Sequence, residues 1–230
     1  MRFLAVLFCL LPGLALAELR ILALGDSNTW GADATGSRYG VESRWPMVMA
    51  ADLPDAVVIE EGRIGRRTDI DGTGALDNIG TVVRRPLPDL VARHMPLDVA
   101  IIMLGTNDLQ NGLGRTPEAI ARSAISLARI LQNGGVAQVL VVAPPPLRNP
   151  ERGRLAGVFG SAEAPSQLLG QAYLDLGRAT AIPTFDAANV TIAESADGVH
   201  LTAEGHRRLG RALAVAVRRL IEPPLAKDGS

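Results

Sequence analysis

Apolar positions along the chain fall into two patterns, short continuous runs and longer stretches with apolar residues at helical spacing. Five β-rich runs stand out: Leu19–Leu24, Ala56–Glu60, Val99–Leu104, Gln138–Val142 and Ile182–Phe185. Between them, apolar residues recur every three to four positions, the period of a helix with one covered face. "ESRWPMVMAADL" places Trp45, Val48, Met49 and Leu53 at that spacing, with Pro46 tolerable in a first turn. "LPDLVARHM" offers Leu87, Leu90, Val91 and His94. "TPEAIARSAISLARILQNGG" is the clearest helix: Thr116 caps, Pro117 suits the first helical position, and Gly134 follows the end. "PSQLLGQAYLDLGRAT" reads as a helix weakened by Gly170 and Gly177. A last helix begins near Thr202 and presents Leu209, Leu213, Ala216, Val217 and Leu220.

Strand alternating with helix predicts an α/β domain, a five-stranded parallel sheet between two helical layers. The composition agrees. Of 230 residues 47% are hydrophobic but only 3% aromatic, so the core is built from Ala, Val, Leu and Ile, as buried parallel strands require. No internal repeat or linker divides the chain. Residues 144–161, rich in Pro, Gly and Arg, read as one long loop, and loops of that length in compact domains are often functional.

The start, "MRFLAVLFCLLPGLALA", has a charged residue, an apolar stretch and a small-x-small end at Ala15-Leu16-Ala17. That is the pattern of a secretory signal cleaved after Ala17, too short to span a bilayer comfortably. An uncleaved anchor or a buried helix is the alternative. The expected organisation is a signal over residues 1–17, one domain over 18–222 and a fraying tail over 223–230. A periplasmic or secreted location follows, with no stable membrane insertion once the signal is gone. Cys9 leaves with the signal, so the mature chain has no thiol chemistry and no disulfide.

A net charge of −1 supplies no long-range field for nucleic acid. Arg63, Arg66, Arg67, Arg84 and Arg85 do cluster, either as a solvated basic edge or as an anion-recognising rim. Oligomeric state is open, a homo-oligomer included.

In open α/β sheets, ligands gather beyond the carboxyl ends of the strands. After the first run comes Gly25-Asp26-Ser27, after the second "EEGRIGRRT", after the third "GTND" with Asn107, after the fifth "SADGVHLT". A serine hydroxyl needs a base to accept its proton. His200 is the candidate, with Asp197 three residues earlier to orient it. The backbone N–H groups of Ser27 and Gly65 and the Asn107 carboxamide are candidate donors to an oxyanion. Each fragment alone has a bland reading: "GDS" a turn, "GTND" a loop, "DGVH" a loop before a helix cap. Specificity comes from their joint occurrence, in this order, at the strand ends.

Together, "GDSNTWG", "EEGRIG", "GTND" and "DGVHLTAEGH" resemble the four blocks of the SGNH (GDSL) hydrolase family, over about Leu19 to Leu220. The resemblance is strongest to the bacterial arylesterase/acyltransferase branch. It implies a flavodoxin-like three-layer α/β/α fold and ester hydrolysis through an acyl-serine, without metal or organic cofactor. It also implies a Ser27–His200–Asp197 triad, with Ser27, Gly65 and Asn107 as the oxyanion hole. The expected partner is a small acyl or aryl ester. Acyl transfer to an alcohol or sugar hydroxyl, thioester or lysophospholipid hydrolysis and sugar deacetylation use the same groups. A non-catalytic glycan- or peptide-binding module and a flavin or phosphate site at the first loop are rivals of other classes.

Three positions depart from the family pattern. Asn28 stands in place of the name-giving Leu and is expected to make the acyl pocket more polar. Glu60 replaces a frequent Asn, and Ile64 a frequent Ser. Of the other histidines, His94 reads as structural and His206 as packed near an apolar face. No familiar ligand spacing makes a metal site of Asp197, His200 and His206. Asp26 and Asp108 read as loop-organising carboxylates. Trp30 and Trp45 read as core or pocket-wall residues, core favoured, while Tyr39 and Phe159 are candidate substrate contacts.

Overall fold

The computed structural model describes residues 18–71 and 81–222. The expected leader (1–17) and tail (223–230) lie outside the described residues.

The element order begins with β1 (Leu19–Gly25), α1 (Ser27–Trp30), α2 (Trp45–Asp52), β2 (Ala56–Gly62), β3 (Arg66–Arg67), β4 (Thr81–Val82) and α3 (Leu87–His94). It continues through β5 (Val99–Met103), α4 (Pro117–Asn133), β6 (Gln138–Ala143), α5 (Ala156–Phe159), α6 (Glu163–Thr180), β7 (Thr184–Asp186) and α7 (Ala203–Ile221). Five strands form one all-parallel sheet in the order β2-β1-β5-β6-β7. β3 and β4 form a separate two-residue parallel pair that periodicity does not reveal.

Successive strand residues face opposite helical layers. Leu22, Leu24, Ala100, Ile102, Val139 and Val141 pack with α3, α4 and α6, through residues such as Leu90, Ile120, Leu127 and Tyr173. Ile21, Ala23, Val99, Ile101, Leu140 and Val142 pack on the other face with Trp45 and Met49 of α2 and Leu209, Leu213 and Val217 of α7. Each Leu or Ile buried this way contributes about 1.5–3 kcal/mol. The sheet is sandwiched, so the apolar runs are continuous.

Helix ends follow their sequence signals. Thr116 accepts from Ala119 N (3.2 Å) and Thr202 from Gly205 N (3.0 Å), capping α4 and α7. The helix expected over 165–180 begins at Glu163. Its two glycines are places of close approach: a Cβ at Gly170 would meet the Asp186 carboxylate, and one at Gly177 the Thr184 side chain. The strand expected from Ile182 starts at Thr184, because the Ile182 N–H turns back to Gly177 O (3.1 Å) and Pro183 has no N–H. The expected loop 144–161 contains a 3-10 turn at Pro150–Arg152 and the short α5.

From β1 the chain passes through α2 to β2 on one side, then crosses to β5 on the other. β1 and β5 therefore flank the point where the strand order reverses, the crevice where such folds take ligands. Ser27 follows β1 and Asn107 follows β5.

Candidate active site

β1 ends at Gly25, and the Asp26 side chain caps α1 by accepting from Asn28 N at 2.9 Å. Ser27 is thus the first residue of a four-residue helix, closed by Gly31 at φ 91° with its N–H on Ser27 O. The expected turn is this helical turn.

Ser27 Oγ lies 3.0 Å from His200 Nε2, and His200 Nδ1 lies 2.6 Å from Asp197 Oδ2. The other oxygen of Asp197 accepts from Ser195 Oγ (2.8 Å), Val199 N (3.0 Å) and His200 N (3.0 Å). One oxygen therefore builds the 195–200 turn and leaves the second for the imidazole. A carboxylate only accepts, so Nδ1 carries the proton and Nε2 is left to accept from the serine. Burial alone would raise the Asp197 pKa. The hydrogen bonds and charge of His200, with the two backbone N–H groups, outweigh it and hold the carboxyl well below its usual range. Arg154, from the 144–161 segment, brings its guanidinium to 3.6 Å from Asp197 Oδ2.

Besides the Ser27 N–H, the expected donors come from the segments after β2 and β5. Gly65 adopts φ 74°, a left-handed conformation that favours glycine. Among the described residues, neither the Ser27 nor the Gly65 N–H has a protein acceptor. Asn107 opens a 3-10 turn, Asn107–Leu109. Its Nδ2 donates to Arg66 O (3.2 Å) and lies 3.4 Å from Asp26 Oδ2, while its Oδ1 accepts from Gln110 Nε2 (3.1 Å).

Asn28 does not line an acyl pocket as expected. It is 1% exposed. Its Nδ2 donates to Val199 O (3.2 Å) and its Oδ1 accepts from Leu201 N (2.9 Å), the residues either side of His200. Glu60 receives the fork of Arg44 through both oxygens (2.9 and 2.8 Å), while Ile64 points outward.

The arginine cluster divides. Arg66 is buried and donates to Gly25 O (3.0 Å) and Glu61 O, pinning the loop after β2 to the end of β1. Arg67 is wholly buried against Gln110, whereas Arg63, Arg84 and Arg85 are exposed. Neither a solvated edge nor a basic rim describes all five.

Asp26 and Asp108 organise loops, as expected. Asp108 accepts from Thr68 N (3.1 Å) and Oγ1 (2.5 Å), joining the segment after β2 to the one after β5. Burial is the main reason that both carboxyls are raised to about 6. His94 pairs with Glu61 at 2.9 Å. His206 is fully buried, edge-on to Tyr39 with ring centroids 5.5 Å apart, and burial lowers its pKa to about 3. Trp45 is core, but Trp30 is only partly covered and carries the Arg38 guanidinium 5.3 Å above its ring. Phe159 belongs to the core, not to a substrate surface. No three His, Cys, Asp or Glu side chains among the described residues are grouped to hold a metal ion. No described helix is long and apolar enough to cross a membrane.

Sequence reasoning missed Ser195, Arg154 and Gln110, and read Arg67 only as one of a basic cluster. Only Gln110 left a trace, three positions beyond Asn107, where one 3-10 turn brings it alongside.

A hydroxyl, an imidazole and a carboxylate in series, at the switch point of a parallel sheet, are the arrangement of a serine-type hydrolase site on an α/β fold. Residues 23–208 match the GDSL-like lipase/acylhydrolase family, and the chain belongs to it. Among solved structures, the native aryl esterase of M. smegmatis is 36% identical, covers 88% of this chain and 100% of its own, and superposes with a TM-score of 0.81. Est24, a carbohydrate acetylesterase from Sinorhizobium meliloti, is 37% identical over 89% of this chain and 100% of its own, with a TM-score of 0.78. A second Sinorhizobium meliloti carbohydrate acetylesterase family member is 34% identical over 88% and 99%, with a TM-score of 0.79. No curated protein sequence matches. The fold is that of the SGNH hydrolases, and the protein is a carboxylic ester hydrolase.

Proposed function

We propose that the protein hydrolyses esters of short acyl groups, acetate above all, through an acyl-serine at Ser27. His200 Nε2 takes the proton as Ser27 Oγ bonds to the ester carbonyl carbon. The carbonyl oxygen becomes an oxyanion held by the Ser27 and Gly65 N–H groups and Asn107 Nδ2. Collapse breaks the bond to the leaving alcohol, which receives the proton from His200. Water then attacks the acyl-serine with His200 again as base, releasing the acid and restoring Ser27 Oγ–H. Asp197 stays ionised and holds the imidazole in the tautomer that both steps need.

The observation carrying this reading is the series from Ser27 Oγ to His200 Nε2 (3.0 Å) and from Nδ1 to Asp197 Oδ2 (2.6 Å). The acetyl preference rests on the relatives, one an aryl esterase and another a carbohydrate acetylesterase. The test is an ester series from p-nitrophenyl acetate to octanoate, with an acetylated sugar alongside. The acetates should turn over fastest, and Ser27→Ala should lose on the order of 10⁶ in turnover. A folded Ser27→Ala protein that keeps most of its activity refutes the mechanism. A rate that rises towards octanoate refutes the acyl preference.

We also propose that residues 1–17 direct export and are removed. Protein recovered from the periplasm or medium should then begin at Glu18. Recovery in the cytoplasm with Met1 in place refutes this.

A further inference from the structure

We propose that Gln110, itself oriented by Arg67, is a positioning residue that sets which way the Asn107 carboxamide faces. The inference rests on the reading of Asn107 as an oxyanion donor. It concerns two residues outside the four family blocks.

A carboxamide can sit in two orientations of nearly the same shape, one presenting N–H and the other oxygen. Only one serves an oxyanion. Asn107 therefore needs something to select its rotamer, and its neighbours do so in a chain.

Arg67 is the start of the chain. A guanidinium only donates. Its Nε (3.2 Å) and one terminal nitrogen (2.5 Å) both address Gln110 Oε1. The reversed Gln110 would set an NH₂ group against these donors, so its oxygen must face Arg67. Gln110 Nε2 is then committed to the other side, where it donates to Asn107 Oδ1 at 3.1 Å. Asn107 in turn must direct its NH₂ away from Gln110, where one hydrogen reaches Arg66 O at 3.2 Å. Among the described residues, the remaining hydrogen has only the 3.4 Å contact to Asp26 Oδ2, at the weak end of the hydrogen-bond range. That hydrogen is the one free to meet an oxyanion.

Burial gives the chain its force. Arg67 is 0% exposed, Gln110 3% and Asn107 5%. With water excluded, a reversed amide would face donor against donor at Gln110 and acceptor against acceptor at Arg66 O. Mispaired buried polar groups of this kind cost about 1–3 kcal/mol each.

The discriminating variant is Gln110→Glu. It keeps the shape and offers Arg67 a carboxylate, so the Arg67 contact survives. It cannot donate to Asn107 Oδ1, and it attracts the Asn107 NH₂ group instead, turning the amide oxygen towards the substrate. With p-nitrophenyl acetate, kcat should fall on the order of 10²-fold, as for losing an oxyanion donor. KM should stay within about twofold, because the lost interaction belongs to the transition state. In an Asn107→Ala background the same change should cost nothing further. If Gln110→Glu fails to fold, as its melting curve will show, Gln110→Met gives the second reading. It removes the donor without reversing the amide, so kcat should fall about tenfold, again only when Asn107 is present.

A folded Gln110→Glu enzyme with kcat within threefold of wild type overturns the inference, as does a loss that persists in the Asn107→Ala background. An Asn107→Ala enzyme with wild-type turnover would instead overturn the oxyanion reading, and the inference with it. An impaired Asn107→Ala beside an unimpaired Gln110→Glu overturns the inference alone.

Discussion

The Leu201 N–H donates to Asn28 Oδ1 at 2.9 Å, joining residues 173 positions apart. With the Asn28 Nδ2 bond to Val199 O, it clamps the loop of His200 onto the helix that carries Ser27. Ser27 and His200 keep their distance because the residue after Ser27 holds the backbone of the His200 loop on both sides of the imidazole.

Asn28→Leu, which restores the family's usual residue, should therefore damage this chain. Leu fills similar space but leaves two buried backbone groups unpaired, at about 1–3 kcal/mol each. The expected result is a clear fall in melting temperature and a drop in kcat of roughly tenfold as His200 drifts. Differential scanning calorimetry and steady-state kinetics on one preparation check both. Unchanged kcat would mean that the loop is held well enough by Asp197.

Asp197→Asn should preserve the shape of the turn and destroy its electrostatics. An amide can present its NH₂ to the imidazole and favour the wrong tautomer, leaving Nε2 protonated. Turnover near neutral pH should fall on the order of 10⁴-fold, as the same change does in a serine protease. A loss of tenfold or less would show that Asp197 mainly shapes the loop.

His206 makes stability sensitive to acid. Its folded pKa of about 3 lies below the unfolded value of 6.5, with burial the main cause and the charges of His200 and Arg44 adding to it. The unfolded chain thus takes the proton first. The stability contributed by the neutral ring is full above pH 6.5 and is lost as pH falls towards 3. Asp26 and Asp108 act in the opposite sense: raised to about 6 from 3.8, they contribute most below 3.8 and lose that contribution as pH rises through 6. Comparing His206→Leu with wild type cancels the carboxylates. The variant should gain stability relative to wild type as pH falls, by about 2–3 kcal/mol at pH 4.5. Chemical denaturation at pH 8, 6 and 4.5 measures it, and parallel pH curves would refute it.

Glu60→Ala should cost about 3–5 kcal/mol, because it strands the nearly buried Arg44 guanidinium. Arg44 also donates to Tyr39 O at 2.9 Å, so the 32–44 segment should loosen first. Hydrogen exchange across that segment, read beside the denaturation midpoint, tests this. Protection equal to wild type would count against it.

The sheet was legible because parallel strands covered on both faces must be apolar throughout, and the long helices because one covered face leaves a helical period. The 3-10 turn at Asn107 and the β3–β4 pair are too short for periodicity to register. Phe159 was misjudged for a related reason: a loop rich in Pro and Gly hides a single turn of helix that buries one aromatic ring.

By itself, the sequence determined the layer architecture and brought a set of polar groups to the strand ends. Ser27, Asn107, and Asp197 with His200 each follow the end of a strand, and a parallel sheet collects all its strand ends on one edge. Tertiary structure alone decided how those groups are oriented. Asn28 became a clamp on His200, and two members of an apparent basic patch became buried donors, Arg66 to Gly25 O and Arg67 to Gln110. Hydrogen bonds between segments far apart in sequence have no period and no composition. They exist only once burial has removed water as the alternative partner.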